Sequence, residues 1–328
     1  MRIFSGIQPT GRKHLGNYIG AIRGYLEGQE RGDPAIYCIV DLHATSVPYD
    51  PNALPGYVYD TAAMLMAAGL DPERCILFRQ SDVKEHSELC WLLASVTPYG
   101  DLQRMTQFKD KVEREKELVR TSLFLYPVLQ AADILLYKAD QVPVGEDQRQ
   151  HLELSREVAR RFNATYGEVL VEPEAVIPET GARIMDLQNP ESKMSTTGGT
   201  EAGLVYIDDE AEDIVKKVKR AQTDSGSEVV RAPDKAGITN LIEIYAAARG
   251  VTPEEAEREF EGQGYGAFKQ TVGESVAELL APVRERYRQL RADPDAIEAA
   301  LRQGADRARE IAVPTMAEVH SVMGLGPQ

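Results

Sequence analysis

The chain has 328 residues, 43% hydrophobic and 27% charged, which is the composition of a globular protein rather than a disordered or membrane chain. At this length a single core stops growing, so one large domain and a smaller one are expected. The net charge of −15 excludes indiscriminate binding to nucleic acid, because non-specific affinity for phosphates comes from a basic surface.

In chain order, β-rich apolar runs at 2–7, 35–41 and 75–81 alternate with helical spacing at 15–30 and about 55–68, which predicts βαβ units and a parallel, doubly wound sheet. The start, Met1-Arg2-Ile3-Phe4, enters the first strand without a signal-peptide pattern, and no apolar run reaches the ~18 to 20 residues of a bilayer span, so no membrane association and a cytoplasmic location are expected. From residue 86 the helical period dominates, over 86–96, 101–118, 122–138 and 146–162, with one short strand at 141–144. Pro173, Pro178, Pro190, Gly181, Gly198 and Gly199 predict a loop-rich connection over about 172–203. Beyond it the pattern is helical, and Thr252-Pro253-Glu254-Glu255 combines an N-cap, a proline at the first helical position and the glutamate of a capping box. Basic runs at 216–220 and 284–291 are candidate RNA contacts, although such runs usually form the solvated faces of helices. Cys38, Cys75 and Cys90 are widely spaced in apolar contexts, which predicts buried thiols, with neither a disulfide framework nor a metal site.

Gly6-Ile7-Gln8-Pro9-Thr10-Gly11-Arg12-Lys13-His14-Leu15-Gly16-Asn17 follows the first strand and runs into a helix, the place where α/β folds bind phosphates. Free N–H groups and the dipole of a helix N-terminus favour an anion, and glycines allow close backbone approach. The segment is not a P-loop, which needs Lys-Ser or Lys-Thr after Gly11, and it lacks a G-x-G-x-x-G fingerprint. A histidine at a helix start, taken alone, is more often a cap or a surface residue.

His14-Leu15-Gly16-Asn17 resembles the HIGH signature of class I aminoacyl-tRNA synthetases. The flanking Gly-Ile-Gln-Pro-Thr-Gly and Tyr18-Ile19-Gly20-Ala21 resemble the tryptophanyl enzymes of that class. The resemblance implies that His14 stabilises charge on the reacting phosphoryl group, where one well-aimed donor is worth about 2.7 to 4 kcal/mol. It also implies that Gly16 admits adenine and that Gln8, Thr10 and Asn17 bind ATP.

Tyr126 to Tyr137 predict an apolar helix that carries one carboxylate, Asp133, a turn beyond Gln130. Buried carboxylates need partners, so a capping or ion-paired aspartate is one reading. The resemblance implies another, in which Asp133 accepts the indole N–H. A substrate without that N–H is then disfavoured, by on the order of 10⁴-fold at well-built sites. By the same resemblance Phe4, Gly6, Val40, His43, Tyr126, Val142 and Val144 enclose the ring or hold the amino-acid backbone. Gln130 stands where several relatives carry methionine, which makes its side chain dispensable. In Gly145-Glu146-Asp147-Gln148, Gly145 and Asp147 match positions that engage the ATP ribose and Gln148 the substrate amine. Helix capping is the other reading of Asp147, and both can coexist.

Glu191-Ser192-Lys193-Met194-Ser195-Thr196-Thr197 resembles the mobile KMSKS signature, and Ala182-Arg183-Ile184-Met185 the adenine-facing strand before it. The resemblance places Ile184, Lys193, Met194 and Ser195 on ATP. Thr196 replaces the second signature lysine, a loss worth on the order of 10² to 10³ in rate if uncompensated. Lys109 and Lys111 match positions near the pyrophosphate, although they also read as a solvated helix face. The expected catalytic set is His14, Lys193 and Lys111. Extended over the whole chain, the resemblance implies a Rossmann-like catalytic domain at 1–190, a signature loop at about 190–200 and a helical anticodon-binding domain at 201–328. The last helices are candidates to pack back on the catalytic domain. The implied substrates are L-tryptophan, ATP with Mg²⁺, and tRNA(Trp), gripped across a homodimer. A tyrosyl enzyme shares the fold, but Gly-Ile-Gln-Pro-Thr-Gly and Gly-Glu-Asp-Gln oppose it. The altered loop at 193–197 admits a non-catalytic regulator that binds tryptophan or ATP.

Overall fold

The structure, a computed structural model, describes residues 1–106, 120–145, 148–176, 183–196 and 199–326. Strands β1 (Ile3–Ile7), β2 (Ala35–Ile39), β3 (Ile76–Arg79), β4 (Gln141–Pro143) and β5 (Glu174–Val176) form one parallel sheet in the order β3-β2-β1-β4-β5. The apolar alternation expected of a Rossmann-like fold is therefore realised as a parallel sheet.

Every residue of β2 is buried, because helices cover both faces of a parallel sheet. Its side chains split between two cores by the two-residue period of a strand. Tyr37 and Ile39 join the core that contains Leu65 and Leu241, whereas Ile36 and Cys38 join the one that contains Leu89, Ile134 and Val158. β1 pairs with β2 from Ile3↔Ala35 to Ile7↔Ile39, but its ladder with β4 is confined to Ile3↔Gln141. The winding direction changes between β1 and β4, so a crevice opens at their carboxyl ends, where open α/β sheets bind ligands.

The structure departs from the sequence reading in three places. The connection expected over 172–203 contributes β5, an edge strand too short and too exposed to carry an alternating pattern. The helix expected over 15–30 is α-helical at Leu15–Asn17, a π-turn at Tyr18–Ile22 and α-helical again at Arg23–Arg31. Wide turns of this kind recur at functional sites. The basic runs keep solvated faces, with Lys216, Lys219, Arg220, Arg286 and Arg288 exposed, but three of their cations also make internal contacts. Arg284 is buried and donates to the Asp209 carbonyl at 2.8 Å, Arg291 pairs with Asp60 at 2.7 Å and Lys217 with Asp209 at 2.8 Å. Of the helix expected over 101–118, Tyr99–Gln103 is described, and Lys109 and Lys111 lie outside the described residues.

Among the described residues the thiols of Cys38 and Cys75 are buried and Cys90 is partly exposed, all three free. Thr252 and Glu255 form the expected capping box, Glu255 N donating to Thr252 Oγ1 at 3.2 Å and Thr252 N to Glu255 Oε2 at 2.8 Å. No helix among the described residues is long and apolar enough to cross a membrane.

The last helix, Pro294–Met323, packs against β3 and carries Ala305, Ala308 and Ala312 into the core. At the crossing a Cβ on Gly304 would stand 1.8 Å from the Leu77 carbonyl oxygen, so only glycine lets helix and strand meet. Gly304→Ala is expected to destabilise the fold by about 1–3 kcal/mol, the usual cost of overpacking. A thermal melt would register this as a drop of several degrees, and an unchanged midpoint would contradict the close approach.

Candidate functional site

The crevice between β1 and β4 is a cleft of ≈ 1380 Å³. A single small ligand occupies about 300–1,000 Å³, so there is room for more than one. Each neighbouring element delivers part of its wall. β1 and its loop supply Phe4, Gly6 and Gln8; the end of β2 supplies Val40 and, on the short helix Asp41–Ala44, His43. Helix Thr121–Leu135 supplies Tyr126, Gln130 and Asp133, and β4 with its loop supplies Val142, Val144, Gly145 and Gln148. The residues expected around the amino acid thus converge although they come from four parts of the chain. Gly6 keeps the wall open, since a Cβ there would lie 3.3 Å from Val40 Cγ1.

Asp133 is 2% exposed. Its Oδ2 meets His43 Nε2 at 2.8 Å, and its Oδ1 meets Gln80 Nε2 and His86 Nδ1, both at 2.6 Å. His86 Nε2 continues to the Tyr137 hydroxyl at 2.7 Å. Burial pushes the carboxyl pKa up, but hydrogen bonds from the two imidazoles and their charge outweigh it and leave the group below the usual carboxylate range. Asp133 is therefore held ionised, as an acceptor. Tyr126 closes the same wall, with its hydroxyl 2.8 Å from His151 Nε2, and burial keeps its phenol protonated.

The expected phosphate residues gather beside this cleft, at the start of helix Leu15–Asn17. Antiparallel contacts bind that start to the segment after the signature loop, with Leu15 N donating to Val205 O at 2.8 Å and Ile207 N to Lys13 O at 3.0 Å. The Arg12 guanidinium stacks 4.0 Å over the Tyr206 ring and pairs with Asp208 and Asp209 at 3.0 and 2.9 Å. His14 is buried, and its Nδ1 has no hydrogen-bond partner among the described residues. Burial, together with the charges of Lys13 and Lys193, lowers the His14 pKa to about 4, so the ring is neutral near pH 7. A buried, unpartnered ring nitrogen beside two lysines is a group arranged for an incoming anion.

Gly16 sits under the imidazole, where an added Cβ would be 3.1 Å from both Cε1 and Nδ1 of His14 and 3.5 Å from Met194 Cβ. Asn17 accepts the His14 backbone N–H at 3.0 Å, and Thr10 is exposed on the loop. Ile184 and Met194 turn their side chains into the core, with Met194 N donating to Ile184 O at 3.0 Å. Lys193 pairs with Met185 in a short antiparallel bridge and is exposed, and Ser195 lies beyond it, half-buried. Lys111 and Asp147 lie outside the described residues.

Several residues that the sequence reading passes over also shape the site. Lys13 donates to the Gln8 and Thr10 carbonyls at 2.9 and 3.4 Å. Burial lowers its pKa to about 8 against the opposing pull of Asp60. Asn240 is buried and binds both backbone groups of Met185, accepting at 2.8 Å and donating at 3.0 Å. Gln80 and His86 stand just past β3, where the polar Gln80-Ser81-Asp82 at a strand's carboxyl end was the available signal.

The profile of one protein family, described as tRNA synthetases class I (W and Y), matches residues 1–281. The tryptophan–tRNA ligase of Wolinella succinogenes is 48% identical over 324 residues, covering 99% of this chain and 98% of that protein. Among solved structures, the tryptophanyl-tRNA synthetase of Mycoplasma pneumoniae superposes with a TM-score of 0.89 at 35% identity, covering 99% of this chain and 98% of that one. The enzyme of Campylobacter jejuni, complexed with ADP and tryptophan, superposes with a TM-score of 0.85 at 34% identity, covering 99% and 100%.

The His14 environment makes a checkable statement about pH. The folded chain refuses a proton on His14 until about pH 4, whereas an unfolded chain accepts it at 6.5, so this group removes stability as the pH falls through that window. A proton NMR titration should find the His14 ring neutral at pH 6; a midpoint at the ordinary histidine value would refute the buried, lysine-flanked assignment.

Proposed function

The chain belongs to the class I tRNA synthetases of the tryptophan and tyrosine branch, and we propose that it activates L-tryptophan with ATP and esterifies it to the 3′ end of tRNA(Trp). The observation that carries the choice of amino acid is Asp133, a buried, ionised acceptor in the wall of the cleft that also carries Phe4, Val40, Val142 and Val144. Beside its three protein partners it has a lone pair to accept an indole N–H, which phenylalanine lacks.

In the first step the tryptophan carboxylate attacks the α-phosphate of ATP; a carboxylate–phosphate bond forms, the α–β anhydride breaks and pyrophosphate leaves. In the second, the terminal ribose hydroxyl of the tRNA attacks the carbonyl and AMP leaves. No enzyme side chain is acylated, so the protein contributes position and electrostatics. Phe4, Gly6, Val40, Val142 and Val144 enclose the ring, while His43, Tyr126 and Gln148 hold the amino-acid end. Gln8, Thr10, Gly16, Asn17, Gly145, Asp147, Ile184, Met194 and Ser195 surround ATP.

The triphosphate lies over the start of helix Leu15–Asn17, where the unpartnered Nδ1 of His14 supports a hydrogen bond to the reacting phosphoryl group. Because His14 is neutral, it serves as a dipole there and keeps its proton. Lys193 and Lys111 neutralise the departing pyrophosphate, and Thr196 offers a hydroxyl. Mg²⁺ arrives on the phosphates of ATP, as is usual for an ion that keeps its waters. The described residues around His14 supply cations, which suit the phosphates of ATP, and among the described residues no group of three acidic, histidine or cysteine side chains could hold a metal ion. The helical region 201–328 meets the anticodon.

We also propose a homodimer. Trp91 is 76% exposed and Tyr99 65%, the latter packed on Phe124 with ring centroids 5.0 Å apart, and aromatic surface of this kind is typical of an interface. Trp91→Glu is expected to yield monomers by light scattering; a dimer of unchanged mass would exclude this face.

Charging of total tRNA with labelled tryptophan but not tyrosine is the expected outcome. Tyrosine charging would indicate a tyrosyl enzyme, and charging with neither a regulator. In tryptophan-dependent pyrophosphate exchange, Lys193→Ala and Lys111→Ala should each lose on the order of 10² to 10³ in rate. Near-normal turnover in either would remove that lysine from the set.

A further inference from the structure

We propose that Gln80 and His86, neither of which lines the cleft, set the selectivity of the tryptophan pocket by fixing the orientation in which the Asp133 carboxylate presents an oxygen to the indole N–H. The inference rests on the reading of the cleft as a tryptophan site.

The orientation of both groups follows from their other partners. Gln80 Oε1 accepts the Leu42 N–H at 3.1 Å, so the amide cannot be flipped, and its Nε2 donates to Asp133 Oδ1 at 2.6 Å. His86 lies between Asp133 Oδ1 at 2.6 Å and the Tyr137 hydroxyl at 2.7 Å. An ionised carboxylate only accepts, so His86 carries a proton on Nδ1 toward Asp133, while its Nε2 is hydrogen-bonded to the Tyr137 hydroxyl. Gln80 and His86 are both 0% exposed, so neither is open to solvent.

The consequence is geometric. The two donors that lie away from the cleft occupy Oδ1, while Oδ2 carries His43, which does line it. One lone pair of Oδ2 remains, on the substrate side. Rotating the carboxylate would strand a buried amide and a buried imidazole, so the acceptor cannot adapt to a substrate of another shape. Gln80 also holds Leu42, the neighbour of His43, so one amide fixes Asp133 and the helix that carries its cleft-side partner. Gln80 and His86 are therefore positioning residues, acting on substrate through Asp133.

The test compares tryptophan with phenylalanine, which lacks the N–H, in pyrophosphate exchange by the full chain. In Gln80→Met the KM for tryptophan should rise ~10-fold or more with the KM for ATP unchanged, and the tryptophan-to-phenylalanine ratio of kcat/KM should fall by a similar factor. A fault of folding alone would lower both amino acids together, so a ratio equal to that of the unaltered protein overturns the proposal. If Gln80→Met does not fold, Tyr137→Phe carries the same test. It deletes the hydroxyl that orients His86 and keeps the ring stacked on Phe4 at 5.7 Å. Its ratio should fall about 3-fold, and no change overturns the proposal. Failure of the unaltered protein to activate tryptophan would instead overturn the reading of the pocket.

Discussion

Keeping the Asp133 carboxylate ionised inside the protein is the constraint from which the pocket follows. An isolated buried charge costs several kcal/mol even after the surroundings relax. The fold meets that cost with donors from β2's end, β3's end and helix Glu85–Ala94, so the carboxylate joins three elements to the helix that carries it. What stabilises the charge also orients it. The side chains that solve the electrostatic problem leave one acceptor toward the cleft, which is what the proposed recognition of an indole N–H requires.

The phosphate end is built on the opposite principle. There the fold collects positive charge and leaves a polar atom unpartnered, with His14 between Lys13 and Lys193. Burial lowers the pKa of both Lys13 and His14, and at His14 the charges of Lys13 and Lys193 add to it. The absence of a second signature lysine at Thr196 bears on this balance, since Lys13, held on the carbonyls of the first loop, already contributes charge at His14.

The chain before and after the signature loop is tied to the helical region by side chains. Asn240 grips both polar groups of Met185, which in turn pairs with Lys193. Arg284, Arg288 and Lys217 reach the segment at 209–210. Three residues of the basic runs thus brace the chain just after the signature loop, while their neighbours Lys216, Lys219, Arg220 and Arg286 stay exposed. The acidic partners that absorb them are visible only once the chain is folded.

What the sequence by itself determined is whatever depends on near neighbours. The two-residue and 3.6-residue periods marked the sheet and most helices. The glycine turn after β1, the Thr252 capping box and the HIGH-like and KMSKS-like segments could be read locally, and Asp133 stood out because a carboxylate on an apolar helix is anomalous where it stands. Only the tertiary structure decided which partners satisfy that carboxylate, because His43, Gln80 and His86 are 90, 53 and 47 residues away from it. Nor could it be foreseen that Gly304 allows a helix to touch Leu77, or that three residues behind Pro173 add an edge strand. A hydrophobic period reports which face of an element is buried, but a hydrogen bond between distant side chains depends on where folding brings them, and no local pattern encodes that distance.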